Sequence, residues 1–368
     1  MKASDLMINC LEEEGVTRIF GVPVEENADF MMSLKKSKKI KFILCRHEQA
    51  AAFMADTFGR LTGKAGVCLS TLGPGVTNLM TGLADANMDR APVVAIIGQG
   101  STKRLHKESH QIMDSISMVQ PISKWAQTIL TPENISEVVR KAFKVAETEK
   151  PGLTVIELPE DIAEEEIDEN PIKPILTRRP AADNRAIEEA LNLIIDSKNP
   201  IILAGNGTIR KRASNRLRVL VENLGIGVIN TFMAKGAISY KDKHSLFTIG
   251  LGSGDYNNLA IDESDLVIAI GYDLVEYSPS AWNRIEGGEK KIIHIDFSPA
   301  EIDKDYLPNV EVIGDLAGAL YQLNKALLER INRIELPLFN IESRQKLRSA
   351  MSKDLDKNDK DDSFPMKP

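Results

Sequence analysis

Residues 65–87, AGVCLSTLGPGVTNLMTGLADAN, contain an apolar run, a glycine loop and a helical pattern in that order. The apolar run covers residues 65–70, the loop is Gly73-Pro74-Gly75, and the helical spacing begins at Thr77. A short, continuously apolar run is typical of a strand buried on both faces, and parallel strands need a crossover helix between them. The stretch therefore predicts one strand, loop and helix unit of a parallel α/β sheet.

The same unit recurs throughout the N-terminal part of the chain. Strands are predicted at 17–20, 41–45, 65–70 and 92–97, and helices at 3–14, 27–35, 47–62 and 77–87. Short strands that each lead into a helix predict an α/β fold with a doubly wound parallel sheet covered on both faces. Such sheets bind ligands at the carboxyl ends of their strands, so the residues that follow the strands are candidates for a site.

A second doubly wound domain is predicted after an acidic, proline-bearing connector. Its predicted strands lie at 200–204, 227–230, 265–270 and 291–296. A chain of 368 residues exceeds the usual size of one hydrophobic core, which agrees with two domains. The predicted bounds are an N-terminal domain at 1–165, a linker at 166–184, a central domain at 185–335 and a linker at 336–368.

The charge of the chain argues against two classes of partner. Lysine and arginine number 46 and aspartate and glutamate 53, so the formal net charge is −7, without long blocks of either sign. Nucleic acids and anionic membrane surfaces both attract basic patches. We therefore expect neither nucleic acid nor a membrane as a partner.

The cysteines and the apolar runs indicate a cytoplasmic protein. The three cysteines lie in apolar segments without C-x-x-C spacing, which is typical of free thiols in a reducing compartment. Polar residues interrupt the first helical segment, so it does not read as a signal peptide, and no later run has the length of a membrane span.

Glu48 is the first candidate for chemistry, because it opens a predicted helix directly after a predicted strand. It can be a solvated acid that interacts with the helix dipole, an effect of about 0.3 to 1 kcal/mol. It can also be a proton donor, which needs a carboxyl removed from water, and the apolar run at 50–54 supplies such surroundings. Its position alone favours the first interpretation, since most acids at helix starts do no chemistry.

The glycine loop and a second glycine pair have similar alternatives. Gly73 and Gly75 form either a plain strand-to-helix turn or a backbone surface that a flat ligand approaches, and Asn78 either caps the helix or points into the site. Gly205-Asn206-Gly207 resembles a dinucleotide-binding turn, but the third glycine is absent, so a structural role is favoured.

Three segments together resemble the pyrimidine-binding domain of thiamine-diphosphate enzymes. They are residues 46–51 (RHEQAA), 59–64 (GRLTGK) and 71–78 (TLGPGVTN). Residues 103–111 and 271–283 are similar to the acetolactate synthase (acetohydroxyacid synthase) large subunits, near the catabolic branch. The resemblance covers essentially the whole chain, and it implies a pyrimidine-binding domain followed by a central Rossmann-like domain.

The resemblance also implies a reaction and a set of site residues. Such enzymes condense pyruvate with pyruvate or 2-oxobutyrate, with loss of CO2, through a thiamine-diphosphate enamine. The catalytic residues implied are Glu48, at N1′ of the aminopyrimidine, and Gln111, which orients a keto acid. The cofactor-binding residues implied are Pro23, Val24, Glu48, Thr71, Gly73, Gly75 and Asn78. The resemblance implies a homodimer or homotetramer for the full-length form.

Two departures from the family pattern stand out. Val24 occupies a position where relatives have glycine, and a β-branched residue disfavours positive φ and adds bulk. Family members also hold Mg²⁺ and the diphosphate in a third domain through a Gly-Asp-Gly motif, which this sequence lacks. We therefore expect no metal ligand in this chain.

Several functional alternatives follow from that second departure. We expect an N-terminal part of an acetolactate synthase that is inactive alone. The alternatives are a subunit of a split enzyme, a non-catalytic assembly subunit, and another thiamine-diphosphate 2-keto acid enzyme such as pyruvate oxidase. FAD binding, the acceptor preference, and biosynthesis of branched-chain amino acids as against acetoin formation stay open.

Overall fold

The computed structural model describes residues 1–175, 177–210, 213–250, 256–283, 290–331 and 341–358. The chain divides into two compact units, Met1–Thr177 and Arg178–Pro368. Each unit contains one six-stranded sheet, and every strand pairing is parallel. The predicted α/β class with two doubly wound parallel sheets is confirmed.

The sheet of the first unit is covered by helices on both faces. Its strands are β1 (Arg18–Gly21), β2 (Lys41–Leu44), β3 (Gly66–Ser70), β4 (Val93–Gln99), β5 (Trp125–Thr128) and β6 (Leu153–Pro159). Its helices are α1 (Ala3–Glu13), α2 (Ala28–Lys36), α3 (Glu48–Thr62), α4 (Pro74–Met88), α5 (Ser115–Val119), α6 (Ile135–Glu147) and α7 (Glu160–Glu164). The strand order is β2-β1-β3-β4-β6-β5, and β3, β4 and β6 are buried along their whole length. Parallel pairing brings all carboxyl ends to one edge.

Small residues bring α3 close to β3 and α4. A Cβ on Gly82 of α4 would lie 2.7 Å from Cβ of Ala52 in α3, and one on Gly66 of β3 would lie 2.0 Å from the carbonyl oxygen of Ala55. Larger side chains at these positions would separate the elements, because interiors have no spare volume. This close approach puts the N-termini of α3 and α4 side by side, and Glu48 and Asn78 lie there.

The opposite ends of α3 and α4 are joined by Arg60. Its guanidinium donates to Asp56 at 2.8 Å on its own helix and to Asp85 at 2.8 Å on α4, and it also pairs with Asp89. A planar guanidinium can bond several carboxylates at once. The helix pair is therefore fixed at both ends.

The sheet of the second unit has the same layout. Its strands are β7 (Pro200–Ala204), β8 (Gly227–Thr231), β9 (Ser245–Ile249), β10 (Leu266–Ile270), β11 (Lys291–Asp296) and β12 (Val310–Ile313). Its helices are α8 (Asn184–Asp196), α9 (Ala213–Leu224), α10 (Tyr256–Asp262), α11 (Pro279–Trp282), α12 (Leu316–Ile331) and α13 (Ile341–Asn358). The order β12-β11-β10-β7-β8-β9 places a topological switch point between β7 and β10, where ligands bind in many such sheets.

The structure differs from the sequence prediction in a few elements. Every predicted strand is present, whereas β5, β6, β9 and β12 were not predicted. The helix predicted to begin at Thr77 begins at Pro74, because Gly73 takes positive φ and proline suits the first turn of a helix. Helix α13 lies within the stretch 336–368 that was predicted to be a linker. No helix in the described ranges is long and apolar enough to cross a membrane.

Candidate functional site

Glu48 begins α3 at the carboxyl edge of the first sheet. His47 caps the helix, with extended backbone angles and its Nδ1 accepting the Gln49 N–H at 3.1 Å. Helix α3 begins directly after this cap. The Glu48 side chain lies near the start of α4, where Asn78 Nδ2 donates to Glu48 Oε2 at 3.0 Å. Glu48 is half-buried, and no donor in the described part of the chain contacts its Oε1. One oxygen is thus anchored, and the other can exchange a hydrogen bond with a ligand.

The glycine loop is required by the chain's own packing. Gly73 has φ +48°, and a Cβ there would lie 2.2 Å from the carbonyl oxygen of Gln111. A Cβ on Gly75 would lie 2.6 Å from Cγ2 of Thr71. The sequence suggested that these glycines admit a ligand, and the structure adds an internal reason for both of them.

Gln111 lies beside the start of α4. Its backbone has φ +59°, its carbonyl faces Gly73, and its side chain is exposed. The contact with Gly73 brings Gln111 next to the helix that carries Asn78. The amide group is therefore available at the same edge of the sheet as Glu48.

The turn after β1 is tied to the end of β3. Thr71 is buried and its hydroxyl donates to Glu26 Oε2 at 2.9 Å, while Asn27 Nδ2 donates to the Ser70 carbonyl at 2.8 Å. Neither Glu26 nor Asn27 was among the residues predicted from the sequence. The position of Asn27 directly before the predicted helix 27–35 was the available signal.

Pro23 and Val24 lie in that turn, exposed and half-buried respectively. Val24 has φ −146° and ψ 174°, which is extended backbone that any residue adopts. The backbone strain expected from a β-branched residue at this position is therefore absent. The bulk of its side chain stays as a difference from the family glycine.

At the corresponding edge of the second unit, the carboxyl group of Glu276 already accepts hydrogen bonds from the chain itself. Glu276 is 4% exposed, and its Oε1 accepts the N–H of Asn206 at 2.9 Å and of Asp273 at 3.1 Å. The Thr231 hydroxyl donates to Oε2. Burial raises the pKa of Glu276 to about 7, although these donors act in the opposite direction.

The glycine turn of the second unit lies against the next strand rather than facing outward. Gly207 N–H donates to the Gly271 carbonyl at 2.8 Å, and a Cβ on Gly205 would lie 2.4 Å from Cα of Tyr272. The Asn206 N–H, which a dinucleotide phosphate would need, is bonded to Glu276. The residues at this turn therefore do not fit the phosphates of FAD. No cluster of metal-ligating side chains occurs among the described residues.

Two family models match the chain. Residues 1–118 match the thiamine pyrophosphate enzyme N-terminal TPP binding domain, and residues 187–323 match the thiamine pyrophosphate enzyme central domain. One match lies in each of the two units.

Known proteins with similar sequences share one description. An acetolactate synthase of Bacillus subtilis is 36% identical over 87% of this chain and 56% of its own length. A probable acetolactate synthase large subunit of Methanocaldococcus jannaschii is 40% identical over 89% and 56%. The chloroplastic acetolactate synthase 2 of Nicotiana tabacum is 35% identical over 91% and 51%. The chain spans about half the length of the curated relatives it matches.

Proposed function

We propose that this chain, which belongs to the thiamine pyrophosphate enzyme family, forms the pyrimidine side of an acetolactate synthase active site. The observation that carries the proposal is the Glu48 carboxylate, which has one oxygen held by Asn78 and the other open at the carboxyl edge of the sheet. A ring nitrogen that gains and loses a proton needs such a fixed carboxylate.

Glu48 holds or moves a proton at a ring nitrogen of the cofactor. Thiamine diphosphate, when bound, supplies the nucleophilic carbon and takes up the electron pair released on decarboxylation. Asn78 restricts the Glu48 rotamer, so that Oε1 keeps one direction. Glu48 is the first residue of α3, so its side chain lies at the positive end of the helix dipole.

The other predicted residues form the surroundings of that carboxylate. Gln111 orients a 2-keto acid through its exposed amide. Thr71, Gly73 and Gly75 supply a backbone surface for the ring, and the turn with Pro23 and Val24 lies next to it, since Glu26 ties that turn to Thr71. The substrates we assign are pyruvate and a second 2-keto acid, because the relatives are described as acetolactate synthases.

Mg²⁺ and the diphosphate are held by residues other than those of this chain. The sequence contains no Gly-Asp-Gly motif, the pattern that the family resemblance assigns to binding of Mg²⁺ and the diphosphate. Turnover therefore needs a holoenzyme, by which we mean this chain together with the region that holds the diphosphate, loaded with thiamine diphosphate and Mg²⁺. We assign it a homodimeric or homotetrameric state and a cytoplasmic location.

FAD is not a ligand of the glycine turn in the second unit, since Glu276 takes the Asn206 N–H. Incubating the chain with FAD and removing free flavin tests this directly. We expect no flavin absorbance in the protein fraction. Stoichiometric flavin that is retained by the wild-type chain and protects the amides of residues 205–207 from hydrogen exchange would contradict the assignment.

Product analysis tests the proposed reaction. The holoenzyme given pyruvate should form acetolactate and CO2, whereas the 368-residue chain alone with thiamine diphosphate and Mg²⁺ should form neither. Acetyl phosphate with hydrogen peroxide would instead identify a pyruvate oxidase. Turnover of pyruvate by the chain alone would refute the division of the site between regions.

A further inference from the structure

A buried carboxyl and amide pair lies at the carboxyl ends of β4 and β6. Gln99 and Glu157 are 2% and 4% exposed, and Gln99 Nε2 donates to Glu157 Oε1 at 3.0 Å. The Thr128 hydroxyl donates to Glu157 Oε2 at 2.7 Å. Neutral donors thus hold this carboxyl, and no cationic side chain pairs with it within the described ranges.

The partners of Gln99 fix the direction of its amide. The Gly100 N–H donates to Gln99 Oε1 at 2.9 Å, and Gln99 Nε2 donates to the Met113 carbonyl at 3.0 Å. A carboxylate can only accept, so Glu157 requires the amide nitrogen on its side. The same orientation leaves the second N–H of Gln99 for Met113. Glu157 and the Gly100 N–H therefore together determine which group Gln99 presents to Met113.

Met113 belongs to residues 100–114, which we call the Gln111 segment. Its start is fixed by Asp161, which accepts from the Thr102 N–H at 3.0 Å and from the Ser101 hydroxyl at 2.9 Å. Its end is fixed by Gln99, and between the two the Gln111 carbonyl lies against Gly73. The segment is thus anchored at both ends, and exposed residues separate the anchors.

We propose that Gln99 and Glu157 are positioning residues that hold the Gln111 segment against the glycine loop. They contact neither cofactor nor substrate, and they set where the Gln111 amide meets a 2-keto acid. That effect on substrate rests on the function proposed for Gln111. We call the hold of Gln99 and Glu157 on the Gln111 segment the clamp. The clamp is inferred from the hydrogen bonds alone.

Gln99→Met tests the clamp, because methionine has a similar volume and no donor. In the full chain, hydrogen exchange of amides in residues 103–112 should become at least about tenfold faster, because the variant loses the bond to the Met113 carbonyl and the bond from the Gly100 N–H. Thr128→Val is the matched control, since it removes a donor from the same carboxyl without touching the segment. Its exchange in residues 103–112 should equal that of the wild type.

Glu157→Gln is a conservative variant that keeps an acceptor for Gln99. Its amide oxygen can accept from Gln99 and its amide nitrogen can donate to Thr128, so the segment should exchange as in the wild type. If Gln99→Met does not fold, Gln99→Asn, which is one methylene shorter, carries the same expectation. Unchanged exchange in the Gln99 variant, or an equal increase in Thr128→Val, would overturn the clamp.

The holoenzyme supplies the second readout. Gln99→Met should raise KM for the 2-keto acid about tenfold with a smaller change in kcat, and Thr128→Val should change neither. Faster exchange with an unchanged KM would contradict the positioning role. Absence of acetolactate from the wild-type holoenzyme would contradict the proposed function instead, and the exchange data then decide the clamp by themselves.

Discussion

Both units have a glutamate at the carboxyl edge of a parallel sheet, but the two side chains differ in burial and in hydrogen bonding. Glu48 is half-buried and receives one hydrogen bond, from Asn78. Glu276 is 4% exposed and receives three, from Asn206, Asp273 and Thr231. The first unit thus leaves one carboxylate oxygen without a donor among the described residues, while the second uses its carboxylate to satisfy its own backbone.

The difference comes from how each edge is closed. In the first unit two helices begin side by side, and their N-termini leave the Glu48 oxygen open. In the second unit the turn after β7 contacts the turn after β10 through Gly207 and Gly271, and Glu276 fills the remaining space. A shared fold therefore does not make both edges binding sites, because the local donors decide whether a ligand is needed.

The largest expected effect is on turnover in Glu48→Gln. The amide cannot take up a proton, so acetolactate formation by the holoenzyme should fall at least about 100-fold. Glu133→Gln is the control, because Glu133 is an exposed glutamate away from the site. Equal turnover in both variants would contradict the catalytic role proposed for Glu48.

Glu276→Gln should change stability rather than catalysis. Folding raises the pKa of Glu276 from 4.5 to about 7, so its contribution to stability is fully present below pH 4.5 and is lost as the pH rises through 7. Glutamine should therefore increase the free energy of unfolding at pH 8, by on the order of 3 kcal/mol, and give no gain near pH 4.

Urea unfolding at several pH values, followed by tryptophan fluorescence, measures this change. The exposed Glu263→Gln is the control for a lost carboxylate in the same unit. A pH-independent difference between Glu276→Gln and the wild type would show that Glu276 is not closed off from water.

Gly73→Ala should be more harmful than a matched glycine substitution. Gly63 also has positive φ, +66°, but its ψ of 13° lies in the left-handed region and no atom lies within 4 Å of its added Cβ. Gly73 has ψ −107°, outside that region, and the Gln111 carbonyl lies 2.2 Å from its added Cβ, so both the backbone and the contact add to its cost. Alanine at 63 should cost about 1 kcal/mol, and alanine at 73 about 2 kcal/mol more. Equal losses in urea unfolding would mean that the Gln111 carbonyl does not press on the loop.

The smallest effect is expected for Asn78→Ala. It frees Glu48 Oε2 without removing the carboxylate, so turnover should fall about tenfold. Thr77→Ala is the control, since Thr77 bonds the Pro74 carbonyl on the same helix and does not contact Glu48. A loss as large as that of Glu48→Gln would give Asn78 a catalytic role of its own.

Local signals carried most of the fold prediction. β7 and β11 have the predicted bounds, because each is a short apolar run between turn residues. The strands β5, β9 and β12 were missed since they are short strands with partly exposed side chains, and their apolar signal is weak. β6 is fully buried, and its run of apolar residues was readable in the sequence.

Only the candidate site residues that lie within contiguous sequence motifs could be predicted. Glu48, Asn78 and the glycine loop belong to contiguous motifs, so the sequence alone was enough to propose them. The hydrogen bond between the Asn206 N–H and Glu276 joins residues that are 70 positions apart in the sequence. The hydrogen bond between Gln99 and Glu157 joins residues that are 58 positions apart. Such contacts depend on strand order, which local periodicity does not specify.

We propose that Glu48 acts on a bound ligand, whereas the carboxyl group of Glu276 is occupied by hydrogen bonds from its own chain. Exchange of the C2 proton of thiamine diphosphate, measured by NMR in holoenzyme carrying Glu48→Gln or Glu276→Gln, tests both statements in one assay. Exchange should slow at least about 100-fold in Glu48→Gln and stay at the wild-type rate in Glu276→Gln. Exchange near the wild-type rate in Glu48→Gln, or equal slowing in both variants, would contradict the account.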